Sequence, residues 1–121
     1  MASKKTLVLG ASENPQRYSY LAVQKLLSHG HPVIAIGKKA GRVHGIDILK
    51  EKKMEHGIDT VTLYLNPMNQ QNYYDYILEL NPKRIIFNPG TENEAFESMA
   101  KAKGINTMEA CTLVLLSTGQ Y

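Results

Sequence analysis

The chain has 121 residues, 43% hydrophobic and 21% charged, with a formal net charge of +3 and a single cysteine. That length suits one domain, residues 1–121, around one core, and a lone cysteine excludes an internal disulfide or a cysteine-rich metal site and fits a reducing, cytoplasmic setting. No apolar run approaches the roughly 20 residues of a membrane span, the start "MASKKTLVLG" is too short in apolar residues for a secretory signal, and the mild positive charge favours an anionic small molecule over nucleic acid or membrane.

In chain order, a strand is expected near Lys5 to Leu9, then the loop "GASENPQRYS" and a helix near Ser19 to His29 that stops at Gly30. A second strand near Val33 to Ile36 leads into a basic loop, "IGKKAGRVHG", and a third runs from Thr60 to Leu65. A helix near Asn69 to Leu80 halts at Asn81-Pro82 before a strand at Arg84 to Phe87. The last elements are a helix near Glu92 to Lys103, a strand at Asn106 to Met108 and a helical piece from about Cys111. Glycine past a helix end accepts the left-handed conformation, and proline cannot continue the helix. The strand runs are short and rich in Val, Ile and Leu, as parallel strands buried on both faces are.

Within the helices, Tyr73, Tyr74, Ile77 and Leu78 make one apolar stripe and Ala95, Phe96, Met99 and Ala100 another. Thr91 with Glu94 reads as a capping box. The fold class that follows is α/β, a single Rossmann-like doubly wound domain with a mostly parallel sheet of about five strands. Ligands in such sheets lie outside the carboxyl ends of the strands, which directs attention to four loops.

In the first loop Gly10 turns the chain off the strand, while Ala11 and Ser12 stay small where a phosphate would meet backbone. The helix that follows aims its positive end there, and Asn14, Arg17 and the hydroxyls of Ser12 and Ser19 add polar contacts. Small residues in a strand-to-helix turn also serve packing alone. After the second strand, where NAD-binding folds carry an acid for the ribose hydroxyls, this chain has Gly37, Lys38 and Lys39, with Arg42 close by. Cations there suit an extra ribose phosphate, as in NADP or coenzyme A; the alternative is a solvated basic turn. The third and fourth loops, "LNPMN" and "FNPGTEN", bring Pro67, Phe87, Asn88, Pro89 and Gly90 to the same edge, with Asn88 suited to an adenine or a pantetheine amide.

Other reactive residues read as structural. His29, His31 and His56 sit beside glycines at helix or turn ends, His44 lies in the basic loop within reach of a phosphate, and no histidine pair with a carboxylate predicts a metal site. Cys111 reads as packing. Asp47 and Asp59 stand at no strand's carboxyl end, so a phospho-acceptor role is not expected. Tyr73, Tyr74 and Tyr76 supply helix core and leave a ring for a homodimer contact.

Taken together, "VLGAS..P.RYS", "HG..VIAIG" with its lysines, "NPG..NE" and a late "AC" resemble the small stand-alone CoA-binding domain family, itself similar to the amino-terminal domain of the succinyl-CoA synthetase alpha subunit. The resemblance spans nearly the whole chain. It implies a Rossmann-like fold with CoA phosphates at Gly10, Ala11 and Ser12, the 3'-phosphate at Lys38 or Lys39, and further contacts at Phe87, Asn88 and Pro89. The expected function is therefore non-catalytic binding of coenzyme A or an acyl-CoA. The alternatives are an NAD(P)-binding sensor or small NADP-dependent oxidoreductase, and an interaction protein that keeps the fold without its ligand.

Overall fold

The computed structural model describes residues 3–121. The Val- and Ile-rich runs form one seven-stranded sheet, ordered β3-β4-β2-β1-β5-β6-β7. Its parallel body is β1 (Thr6–Leu9), β2 (Val33–Ile36), β4 (Ile46–Leu49), β5 (Thr60–Leu63), β6 (Arg84–Phe87) and β7 (Asn106–Glu109). Only β3 (Gly41–Val43) runs antiparallel, paired with β4. The helices are α1 (Tyr18–Ser28), α2 (Pro67–Gln70), α3 (Tyr74–Leu80), α4 (Glu94–Ala102) and α5 (Thr112–Ser117), with a 3-10 turn at Gln71–Tyr73.

The side-chain alternation of the strands divides the core into two layers. Leu7, Leu9, Val61, Leu63, Ile85 and Phe87 meet Ile77 and Leu80 of α3 and Phe96 and Ala100 of α4 on one face. Val8, Val33, Ala35 and Ile86 meet Val23 and Leu26 of α1 and Leu115 and Leu116 of α5 on the other. The fully buried Phe96 stacks on Tyr74 with centroids 4.4 Å apart and meets Phe87 edge-on at 6.0 Å. Such pairs add about 1 kcal/mol beyond burial itself.

The doubly wound parallel class is as expected; the strand count is not. The basic loop contains the β3–β4 hairpin, turned at His44 and Gly45, whose φ values of 49° and 82° suit a two-residue hairpin turn. Its strands, Gly-Arg-Val and Ile-Asp-Ile-Leu, are each interrupted by a charged, exposed residue, so they lack the continuous apolar run of the buried strands. The helix expected at Asn69 to Leu80 breaks into α2, the 3-10 turn and α3, and it buries Tyr76 rather than Tyr73 or Tyr74 most fully. Asn81 ends it in the left-handed conformation, as the stop signal implied. Thr91 does not cap α4: Asn93 does, accepting the Phe96 amide at 3.0 Å, while the Thr91 hydroxyl donates to the Asn88 carbonyl. Ala95 and Met99 of the expected α4 stripe are exposed.

One histidine is part of the core. His31 is buried, its Nδ1 accepts the Lys4 amide at 2.9 Å, its ring lies 4.9 Å from that of Tyr121, and its Nε2 has no partner among the described residues. Burial, reinforced by His29, Lys4 and Arg84 and opposed by Asp59, lowers its pKa below the usual 6.5. The unfolded chain therefore takes up this proton before the folded one does, and stability falls as pH drops below about 6.5. His31→Asn keeps an acceptor for Lys4 and removes the titration. Melting curves between pH 7.5 and 5 are expected to fall less steeply for the variant; parallel slopes would show that His31 does not carry the dependence.

Candidate functional site

The pairing register brings the strand ends level: Leu9 pairs with Ile36 and with Leu63, and Leu63 with Phe87. Gly10, Gly37, Tyr64 and Asn88 are consequently the first residues past one common edge. The order in which strands are added to the sheet switches sides between β1 and β5, which run parallel, so a crevice opens there, as doubly wound sheets require.

Two glycines set its floor. Gly10 has a φ of +97°, and a Cβ on it would lie 2.9 Å from the Tyr64 carbonyl oxygen; a Cβ on Gly37 would lie 2.3 Å from that of Ala11. The Gly10 and Ala11 amides both donate to the Ile36 carbonyl, at 2.8 and 2.9 Å. These two amides are thus committed to the fold, and Gly10 and Ala11 contribute wall rather than donors. Beyond them the loop is held by its own side chains. The Asn14 amide donates to Ser12 Oγ at 3.0 Å, the Gln16 amide to Asn14 Oδ1 at 3.0 Å, and the Arg17 amide to the Asn14 carbonyl at 3.0 Å. This turn delivers Arg17 as the extended N-cap of α1, whose first turn has no acidic residue. The orphan amides of that helix start and its dipole therefore face the crevice with nothing negative on the helix to offset them.

The crevice is a cavity of about 770 Å³. Of the residues expected from the sequence, it gathers Gly10, Ala11, Ser12, Asn14, Arg17, Ser19, Lys38, Lys39, Pro89 and Gly90. Arg17, Lys38 and Lys39 are exposed there and form no ion pair with any described carboxylate. A smaller adjoining cavity of about 190 Å³ shares Gly10, Lys38, Leu65 and Asn69 and adds Gly37, Asn72 and Tyr73.

Three expected residues lie elsewhere. Phe87 is fully buried in the core against Phe96, and Pro67 is the exposed first residue of α2. Asn88 is buried and fully engaged: its Nδ2 donates to Thr62 Oγ1 at 2.7 Å and to the Leu63 carbonyl at 2.9 Å, and its Oδ1 accepts the Thr112 amide at 2.8 Å. It joins β5, β6 and α5 and has no group left for a ligand. Arg42 is held in the hairpin by Asp47 and the Gly45 carbonyl, and His44 packs on Tyr20 with centroids 4.8 Å apart. Cys111 is the half-buried N-cap of α5.

Several wall residues were not among the expected site residues, among them Glu13, Tyr18, Asn66, Asn69 and Thr91. Asn66 Oδ1 accepts the Asn69 amide at 2.9 Å and starts α2, a cap that the Asn-Pro pair advertised only as a turn. The fully buried Gln70 then donates to the Leu65 and Thr91 carbonyls at 2.8 and 2.7 Å and accepts from Asn93, which also donates to the Tyr74 hydroxyl. That network ties the third loop to the fourth. Tyr64, also in the wall, has its hydroxyl buried near Thr62 and Thr112, and burial pushes its pKa up to about 12. Among the described residues no group of three or more His, Cys, Asp or Glu side chains converges, and no helix is long and apolar enough to cross a membrane.

This geometry agrees with what the chain is similar to. The family described as CoA binding domain matches residues 4–117. The chain belongs to the CoA-binding domain family. A solved structure of an uncharacterized protein is 53% identical, covers all of both chains and superposes with a TM-score of 0.98. A hypothetical protein from Pyrococcus horikoshii OT3 is 23% identical over 96% of this chain and 83% of that one, with a TM-score of 0.87. A dinucleotide forming acetyl-coenzyme A synthetase 1 from Ca. Korarchaeum cryptofilum, in complex with phosphate and ADP, is 18% identical over 89% of this chain and 26% of its own, with a TM-score of 0.70. The last two likenesses are of fold. No curated protein sequence matches the chain.

The engagement of Asn88 makes it a structural residue of this family member. Asn88→Ala leaves the Thr112 amide and the Leu63 carbonyl buried without that partner, and it is expected to lower stability by roughly 2–4 kcal/mol in the absence of any ligand. Urea unfolding of the free protein measures this; a loss below about 0.5 kcal/mol would contradict the assignment.

Proposed function

We propose that the chain binds coenzyme A or an acyl-CoA as a single binding unit and catalyses no reaction by itself. The observation that carries this reading is the convergence of Arg17, Lys38 and Lys39, none paired with a described carboxylate, on one crevice at the start of α1. Uncompensated cations and an open helix N-terminus together favour a polyanion. The crevice volume of about 770 Å³ suits an extended small molecule.

In this reading the pyrophosphate takes the helix start, with Arg17 and the Ser12 and Ser19 hydroxyls, and the ribose phosphate takes Lys38 and Lys39. The smaller cavity, with Tyr73 and Gly37 in its lining, suits the flat adenine ring. The pantetheine arm then runs along Pro89, Gly90 and Thr91. Gly10 and Ala11 line the path without donating their amides. Family membership supports CoA over other nucleotides, although the Rossmann-like fold as such serves many ligands.

Melting temperatures with CoA, dephospho-CoA, NAD and NADP test the reading, because a ligand at 100 times its Kd adds about 2.7 kcal/mol of stability. CoA is expected to raise Tm most, and replacing both Lys38 and Lys39 by Ala is expected to weaken CoA about tenfold more than dephospho-CoA. Equal losses would remove the lysines from the phosphate site. A shift with NAD or NADP alone would replace the reading by a nicotinamide-nucleotide sensor or oxidoreductase.

A further inference from the structure

The crevice holds one feature that a simple phosphate site does not explain: a carboxylate among its cations. Glu13, in the first loop, lines the same cavity as Arg17, Lys38 and Lys39, yet it pairs with none of them. Its Oε2 instead accepts the backbone amide of Arg42 at 2.9 Å, at the start of β3. The Arg42 guanidinium faces away, toward Asp47 and the Gly45 carbonyl. Among the described residues nothing donates to Glu13 Oε1.

Gly41 leaves the space that this placement uses. A Cβ on Gly41 would lie 2.4 Å from Cδ, 2.6 Å from Oε2 and 2.8 Å from Cγ of Glu13. Gly41 does not have the positive φ that would itself call for glycine. Its missing side chain therefore makes room for the Glu13 carboxyl group.

The position is informative. Doubly wound nucleotide-binding sheets present an acid to the ribose hydroxyls just after the second strand. Here Gly37, Lys38 and Lys39 follow β2, and no acid stands among them. Glu13 reaches into that region from the first loop. We propose that Glu13 is a specificity-determining residue: its carboxylate accepts a hydrogen bond from a free ribose hydroxyl of the bound nucleotide, beside the lysines that meet the ribose phosphate. This rests on the proposed CoA reading of the crevice. Its consequence is a balance. The carboxylate favours a bare ribose, the lysines favour a phosphorylated one, and the ratio of affinities for dephospho-CoA and CoA reports both.

The test compares CoA and dephospho-CoA by titration calorimetry on the wild-type chain, Glu13→Gln and Gly41→Ala. Gln keeps an acceptor for the Arg42 amide but replaces the other carboxylate oxygen, the one left for the ligand, by an amide donor and removes the charge. Dephospho-CoA is expected to weaken about tenfold in Glu13→Gln, because a hydrogen bond to a charged group is lost. CoA is expected to weaken less, because the same change relieves repulsion of its ribose phosphate. Gly41→Ala, which pushes the carboxylate aside, is expected to move the preference for CoA in the same direction. A preference that stays constant in Glu13→Gln, with both ligands weakened equally, would make Glu13 only a tie between loop and hairpin and would overturn the proposal while leaving CoA binding intact. A wild-type chain that binds neither ligand would overturn the CoA reading and this inference with it.

Discussion

The close approach of two loop backbones is the constraint on which the rest of this molecule depends. The Ile36 carbonyl at the end of β2 accepts both the Gly10 and the Ala11 amides, and Gly37 lies so near the Ala11 carbonyl that no side chain fits between them. Two hydrogen bonds to one oxygen hold the first loop down on the neighbouring strand. The loop then has a single path, over the Ser12 and Asn14 turns to Arg17, and that path aims α1 at the crevice. The same contact that shapes the crevice also commits two of its amides to the fold, so the groups left open toward it are the helix start and the side chains.

A second set of buried polar groups holds the opposite wall. Asn88 joins β5 to α5, and Gln70 with Asn93 joins the end of α2 to the loop before α4. Buried amide side chains of this kind are costly unless every group is paired, and these are well paired, so they fix one arrangement of the loops rather than several. The crevice wall is therefore rigid where it rests on these networks. Its cations, being exposed and unpaired, stay free to meet a ligand. Rigidity and availability are divided between different residues.

The crevice is also mixed in charge. Three cations flank it, and one carboxylate is carried in on the first loop and accommodated by Gly41. A uniformly basic cleft would bind polyanions with little discrimination, since Coulomb attraction alone does not distinguish their shapes. In the proposed reading, an acceptor held beside the cations adds a contact that depends on which oxygens of the ligand carry phosphate.

Much of this was legible in the chain itself. The strands at Val33–Ile36 and Arg84–Phe87, the doubly wound order and the edge that carries the site follow from short apolar runs separated by helical stripes and their stops, because these patterns are local. Ten of the expected site residues line the main cavity for the same reason: each lies in a loop that leaves a strand end or in the first turn of α1. The β3–β4 hairpin was hidden because Arg42 and Asp47 interrupt its strands. Asn88 was misread because an asparagine at a strand end looks equally ready for a ligand or for its own neighbours; only packing reveals that Thr62, Leu63 and Thr112 claim all of its groups. Glu13 was invisible for the converse reason, since its partner at Arg42 is 29 residues away. Local periodicity and turn chemistry determined the fold and the edge of the site. Which side chains remain free there was decided by contacts between distant segments, which exist only once the sheet has assembled.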